Sequence, residues 1–291
     1  MSKATKRKQK TELIMGLCAI ALSVLFFVAL FSGIGWLRDR LNQLSASLPT
    51  SIPTSTMPPP TDPTLIPNPF APGDFVYAQG YLTCPIGNYM LGVDVSEYQG
   101  NIDWQTVASE GIGFAMVRIG GRGWGESGQI FTDTYWQRNL DGAQDAGLLT
   151  GVYFFSQAIS EEEAREEARF VIEQLDGREL TLPVVFDWET IGSADARTAD
   201  LSPWMLNRCA MAFCEEIRAA GYQPMVYFNQ SLALDMLDLP TLQQQGYPFW
   251  LAMYTDALTY PHRVEMWQYT SEGTVAGIQG FVDLDLYFIY E

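Results

Sequence analysis

The sequence predicts an α/β fold, an irregular TIM-like (β/α) barrel, for about the last three-quarters of the chain, on three observations. Eight apolar, β-branched runs recur, at residues 90–95, 114–119, 148–155, 182–186, 225–228, 249–252, 264–269 and 281–288. Amphipathic helical patterns separate several of them, which argues for parallel βαβ units. Polar side chains end the runs, as they do where the mouth of a barrel carries the chemistry.

Taken in chain order, residues 1–12 form a basic tail with Lys3, Lys6, Arg7, Lys8 and Lys10, and residues 13–37 follow without a charged side chain. A membrane crossing needs about 20 apolar residues, whereas the apolar core of a cleaved signal peptide is about 7 to 15 residues long and ends in small residues. Residues 13–37 are therefore expected to be a retained transmembrane signal anchor. The basic tail would stay in the cytoplasm and leave the rest of the chain outside the cell. Residues 38–75, dense in Pro, Ser and Thr and including Pro58-Pro59-Pro60, read as a semi-extended linker. Residues 76–291 are expected to form the barrel.

Within the barrel, Ser160 and Glu163 make a capping box ahead of Ala164, Ala168, Val171, Ile172 and Leu175 on one helical face, and Asp176-Gly177 ends the pattern. Ser202, with Pro203 at the first helical position, opens a second helix that buries Leu206, Ala210, Phe213 and Ile217 and stops at Gly221. A shorter helix is expected over 133–146, and 229–245 holds one or two helical turns. Little room remains between the last three runs, so loops are expected to join the final strands.

The whole chain has 17 basic and 34 acidic residues; 7 and 3 of these precede Asp74, which leaves 10 arginines, no lysine and a formal charge of −21 beyond it. Such a domain is a poor binder of polyanions, so nucleic acid is not an expected partner. The four cysteines show neither a disulfide framework nor zinc-type spacing. His262 is the single histidine, which removes metal sites built on several histidines and leaves a Ser-His-Asp triad to one residue, expected at the surface of a loop. No metal and no cofactor are expected, and the sequence carries no signal for oligomeric state.

Asp187-Trp188-Glu189 ends the run at 182–186. On a strand of period two both carboxylates point the same way, roughly 7 Å apart, and one of two such neighbours tends to keep its proton near neutrality. An acid beside an ionised partner is what cleavage of a glycosidic bond needs. Trp188 must point to the other side, into barrel packing. The other runs end in Asp94, Arg118, Asn229 and Gln268, and Asp283 and Asp285 share the two-residue spacing on the last one. Asp94 or Asp283 could instead cap a helix or bond a buried backbone group. Tyr98, Tyr153, Tyr227, Trp250, Tyr254, Trp267 and Tyr269 lie near the same strand ends, and flat aromatic faces among acids and amides suit a sugar.

GVDVSEYQGNIDW at 92–104, FAMVRIG at 114–120, GVYFFS at 151–156, PVVFDWE at 183–189, FWLAMY at 249–254 and EMWQYTSEGTVAGIQGFVDLD at 265–285 together resemble glycoside hydrolase family 25, the Chalaropsis-type lysozymes. The resemblance implies a barrel that cuts the β-1,4 bond after N-acetylmuramic acid, with peptidoglycan glycan strands as its partner. It implies Glu189 as general acid, Asp187 as its carboxylate partner, and Asp94 and Asp283 as the rest of the acidic cluster. It places Tyr153, Tyr227, Trp250, Tyr254 and Gln268 around the sugar, and Tyr98 and Arg118 are further candidates for substrate contact. Two departures stand out: Phe154 and Asp285 occupy positions where many relatives carry His and Asn. A wall-binding module without turnover and a chitinase-like endoglycosidase are the alternative readings.

Overall fold

A computed structural model describes residues 62 and 64–290. Residues 13–37, expected to cross a membrane, lie outside the described residues, and among the described residues no helix is long and apolar enough to do so. The folded part begins earlier than the linker boundary expected at 75. Leu65 and Phe75 are buried, the Asn68 side-chain amide donates to the carbonyls of Leu258 and Tyr260 at 3.1 and 2.9 Å, and the Phe70 ring packs 4.7 Å from that of Phe288. His262, expected at the surface, is buried beneath this segment, and its Nε2 accepts from the Asp62 amide at 3.3 Å.

The chain then runs through β1 (Val76–Ala78), β2 (Tyr81–Thr83), β3 (Tyr89–Val95), α1 (Trp104–Ser109), β4 (Phe114–Arg122), β5 (Ile130–Thr132), α2 (Trp136–Asp145) and β6 (Leu149–Ser156). It continues through α3 (Glu161–Leu175), β7 (Val184–Trp188), α4 (Pro203–Ala219), β8 (Pro224–Asn229), α5 (Gln230–Asp235), α6 (Leu239–Gln244), β9 (Phe249–Ala252), β10 (Met266–Gly273) and β11 (Val282–Phe288). β1 and β2 form a separate hairpin whose two turn residues, Gln79 and Gly80, both have positive φ, as a tight two-residue hairpin turn requires. The helix starts follow their caps: Ser160 accepts from the Glu163 amide ahead of α3, and Ser202 from the Met205 amide ahead of α4.

Eight strands close into a barrel in the order β3-β11-β10-β9-β8-β7-β6-β4, with β4 pairing back to β3 and β5 appended to β4. The irregular TIM-like (β/α) barrel of parallel units expected from the sequence is corrected to a mixed barrel. The seven strands other than β11 pair in parallel where they meet one another, but β11 runs antiparallel to both its neighbours, so the barrel is mixed. The cause is chain length. A parallel return needs a crossover of a dozen or more residues, and the segment between Gly273 and Val282 is too short for one.

Strand alternation sorts the side chains into two layers. On β7, Val184, Phe186 and Trp188 face outward into the layer beneath the helices, where Phe186 meets Phe213 of α4 at 5.3 Å. Val185 faces inward with Phe114, Met116, Met225, Trp250 and Met266. The interior is tight enough that a Cβ on Gly92 would lie 2.3 Å from the Phe114 ring. Bulky side chains therefore plug the floor of the barrel, and the polar residues two positions further along each strand are left at its mouth.

Candidate active site

Asp187, within β7, and Glu189, one residue past its end, continue the inward face of Val185 with the two-residue period of a strand. They line a cavity of about 620 Å³ together with Asp94, Tyr98, Arg118, Tyr153, Tyr227, Trp250, Tyr254, Gln268 and Asp283. The eleven residues named as catalytic or substrate-contact candidates thus share one cavity, whereas Asn229, Trp267, Tyr269 and Asp285 do not line it. Trp188 is buried in the outer layer and does not line it.

Gln268 is the hub of the floor. Its Nε2 donates to Asp94 Oδ2 at 2.8 Å, and its Oε1 accepts from the hydroxyls of Tyr227 and Tyr254, each at 3.1 Å. The Trp250 indole meets Tyr227 edge-on at 5.0 Å and Tyr153 at 6.0 Å. Arg118, the cation nearest the acids, is already engaged by Asp133 at 2.8 Å and Glu97 at 3.4 Å and lies 4.9 Å from the centre of the Tyr98 ring. Tyr98 and Tyr254 are exposed, so their faces are open at the rim.

The carboxyls all hold their protons more tightly than ordinary side chains do. Burial is the main cause for Asp187, with Glu189 and Asp94 adding repulsion and Arg118 opposing. Asp94 is raised by burial and then by Asp283, against the hydrogen bond from Gln268. Glu189 is raised by burial and by Asp283, and Asp283 itself moves up to about 6, mainly through burial. At neutral pH such a site retains at least one proton that can be given to a leaving group.

Several functional neighbours escaped the sequence reading. Trp124 and Phe131, from the β4–β5 hairpin, are part of the cavity wall with Arg122; an exposed Trp inside Gly-Arg-Gly-Trp-Gly was the available signal. Gln157 is wholly buried behind the site. Its Nε2 donates to the Glu189 carbonyl at 3.0 Å, its Oε1 accepts from Thr198 at 2.9 Å, and its own carbonyl accepts from Arg197 at 3.2 Å. The backbone that carries Glu189 is thereby tied to α3 through Arg197 and Glu163 at 2.6 Å.

A closed barrel with mutually repelling carboxyls at a strand end, beneath an aromatic rim, is the arrangement a glycoside hydrolase needs. The sequence profile described as Glycosyl hydrolases family 25 matches residues 93–278, and the chain belongs to that family. The chain is 26% identical over 238 residues to the uncharacterized protein YegX of Escherichia coli K12, a match that covers 74% of this chain and 78% of that one. It is 28% identical over 204 residues to Lysozyme M1 of Streptomyces globisporus, covering 66% and 65% respectively. Among solved structures, the modular autolysin LytC of Streptococcus pneumoniae, in complex with a synthetic peptidoglycan ligand, superposes with a TM-score of 0.60 at 26% identity. That match covers 69% of this chain and 47% of LytC, so the chain spans about half the length of that protein.

Proposed function

We propose that the domain is a peptidoglycan muramidase that hydrolyses the β-1,4 bond between N-acetylmuramic acid and N-acetylglucosamine, with Glu189 as general acid. The observation that carries this reading is the placement of Glu189. It sits in the cavity with its proton held by burial and by Asp283, on a backbone anchored by Gln157. Glu189 protonates the glycosidic oxygen as the bond breaks. Tyr98 and Tyr254 offer ring faces at the rim, and Tyr153, Tyr227, Trp250 and Gln268 form the floor on which the sugar rests.

Asp187 has two available roles: orienting the substrate's acetamido group as an internal nucleophile, or serving as electrostatic partner while Asp94 activates water. Its Oδ1 is buried without a protein partner in a residue that lines the cavity, and an acetamido N–H is the donor that atom lacks. This favours the substrate-assisted route. Net retention of configuration, read by NMR on the first product formed, supports that route, and inversion excludes it.

The test of the function uses the purified chain with peptidoglycan and mass spectrometry of the new reducing ends. Muramic acid ends that disappear with Glu189→Gln support the reading; glucosamine ends, or no cleavage, refute it. The charge-free residues 13–37 between basic flanks support a further element of the proposal. The barrel is tethered on the outer side of the cell membrane, where it remodels the cell's own wall. Extracellular protease applied to intact cells should then remove the barrel and leave a membrane-embedded stub.

A further inference from the structure

Asp285 lies two residues below Asp283 on β11, on the same inward face, and is wholly buried. It stands opposite Gln268 on β10 and opposite Gly92 on β3. Its carboxyl lies beside that of Asp94, the residue paired with Asp283 one pleat further along. The Trp250 indole N–H, which can only donate, occupies Oδ1 at 2.8 Å. Oδ2 is buried and meets no donor, and the Asp94 carboxyl is a hydrogen-bonding neighbour of the Asp285 carboxyl. On Asp94, Oδ2 is already an acceptor for Gln268. Two bare carboxylate oxygens cannot face each other in such a place without a proton between them.

We propose that Asp285 is a positioning residue that stays protonated at neutral pH and donates its Oδ2 hydrogen to Asp94, so that Asp94 remains charged and fixed beneath the reacting sugar. The ionisable groups around Asp285 are Asp94 on β3, Asp283 on its own strand and Tyr269 on β10. None of these carries positive charge, and burial and both aspartates act to keep the proton in place. When the pair finally loses it at high pH, the two carboxylates repel and Asp94 is displaced. The catalytic consequence rests on the muramidase reading; the protonation does not.

Infrared difference spectroscopy reads the proton directly. At pH 7 the wild-type chain should show a protonated-carboxyl band that Asp285→Asn removes. Asp285→Asn keeps an acceptor for Trp250 and supplies an N–H for Asp94. It should retain most of the turnover that Asp285→Leu loses, on the order of tenfold or more, and it should leave the alkaline limb of the rate profile, which Glu189 sets, where it is in the wild type. An unchanged infrared spectrum in Asp285→Asn, an Asp285→Leu variant as active as wild type, or an Asp285→Asn variant as impaired as Asp285→Leu overturns the proposal. Should either variant fail to fold, carbon-13 aspartate NMR of the wild type decides: the proposal requires a carboxyl with the protonated shift at pH 7 and falls if none is found. Failure to cleave peptidoglycan with the band present would remove the functional reading and leave the protonated pair intact.

Discussion

Asp283→Asn should stabilise the fold, and only above a defined pH. Asp283 is half-buried opposite Asp94 across the β3–β11 pair, and its pKa rises from 3.8 to about 6, chiefly because burial penalises the charged form. A carboxyl that binds its proton more tightly in the folded than in the unfolded chain contributes stability that is fully present below the unfolded value and is lost as pH rises through the folded one. The wild type therefore loses stability between about pH 4 and pH 6 at this site. At 1.36 kcal/mol per tenfold the loss approaches roughly 3 kcal/mol, and partial exposure reduces it to about 2. Asparagine does not titrate. The stability difference between variant and wild type should be near zero at pH 3.5 and reach about 2 kcal/mol in favour of the variant at pH 8. Urea unfolding followed by tryptophan fluorescence at pH 3.5, 5, 6, 7 and 8 measures it, with the midpoints compared at constant slope. A difference that is flat with pH, or a variant less stable at pH 8, refutes the reasoning. Because Asp283 also holds up the pKa of Glu189, the same substitution should move the alkaline limb of the activity profile to lower pH.

Gln157→Leu frees the Glu189 carbonyl and the Thr198 hydroxyl. It should cost about 1–3 kcal/mol of stability and on the order of tenfold in turnover; an unchanged rate on peptidoglycan shows that the anchor is not used. Arg122 pairs with the wholly buried Glu167 at 2.7 Å, whose pKa stands at about 7. Arg122→Met should cost about 3–5 kcal/mol by urea unfolding at pH 8. The penalty should be smaller at pH 5, where Glu167 can take up a proton, and Glu167→Gln should recover part of it. Gly92→Ala drives a methyl into the Phe114 ring; a loss of about 1–3 kcal/mol is expected, partly restored by Phe114→Leu, and a neutral result refutes tight packing at that point.

Much of the site was legible because it depends on strand periodicity, which is local. The run at 182–186 made a strand of β7, and period two then put Asp187 and Glu189 on one side and Trp188 on the other, as observed. Helix starts were legible for the same local reason, through Ser160 and Ser202. Strand direction was not read, because an alternating pattern reads the same both ways, and the short connection ahead of the run at 281–288, its one mark of reversal, reads by itself only as a loop. The buried state of His262 and the earlier start of the folded part arise from contacts between residues nearly two hundred positions apart. In a stretch rich in Pro, Ser and Thr, the few residues that dock, Leu65, Phe70 and Phe75, were outweighed by the composition around them.

The reversed strand is also what assembles the acidic cluster. Seven strands bring their C-terminal ends to the mouth, which is how Asp94, Asp187, Glu189 and Gln268 reach it. A parallel eighth strand would carry the polar residues at its beginning to the opposite end of the barrel. Because β11 is antiparallel, its N-terminal end lies at the mouth instead, and Asp283 is placed directly opposite Asp94. The same reversal buries the next inward residue: Asp285 falls one pleat deeper, level with Gly92, where solvent cannot reach it. Position along one reversed strand thus gives two aspartates different chemistry. Asp283 is exposed enough to titrate near 6, while Asp285 is sealed against Trp250 and keeps its proton. An asparagine at this position would bond Trp250 and Asp94 equally well, but without a proton to lose.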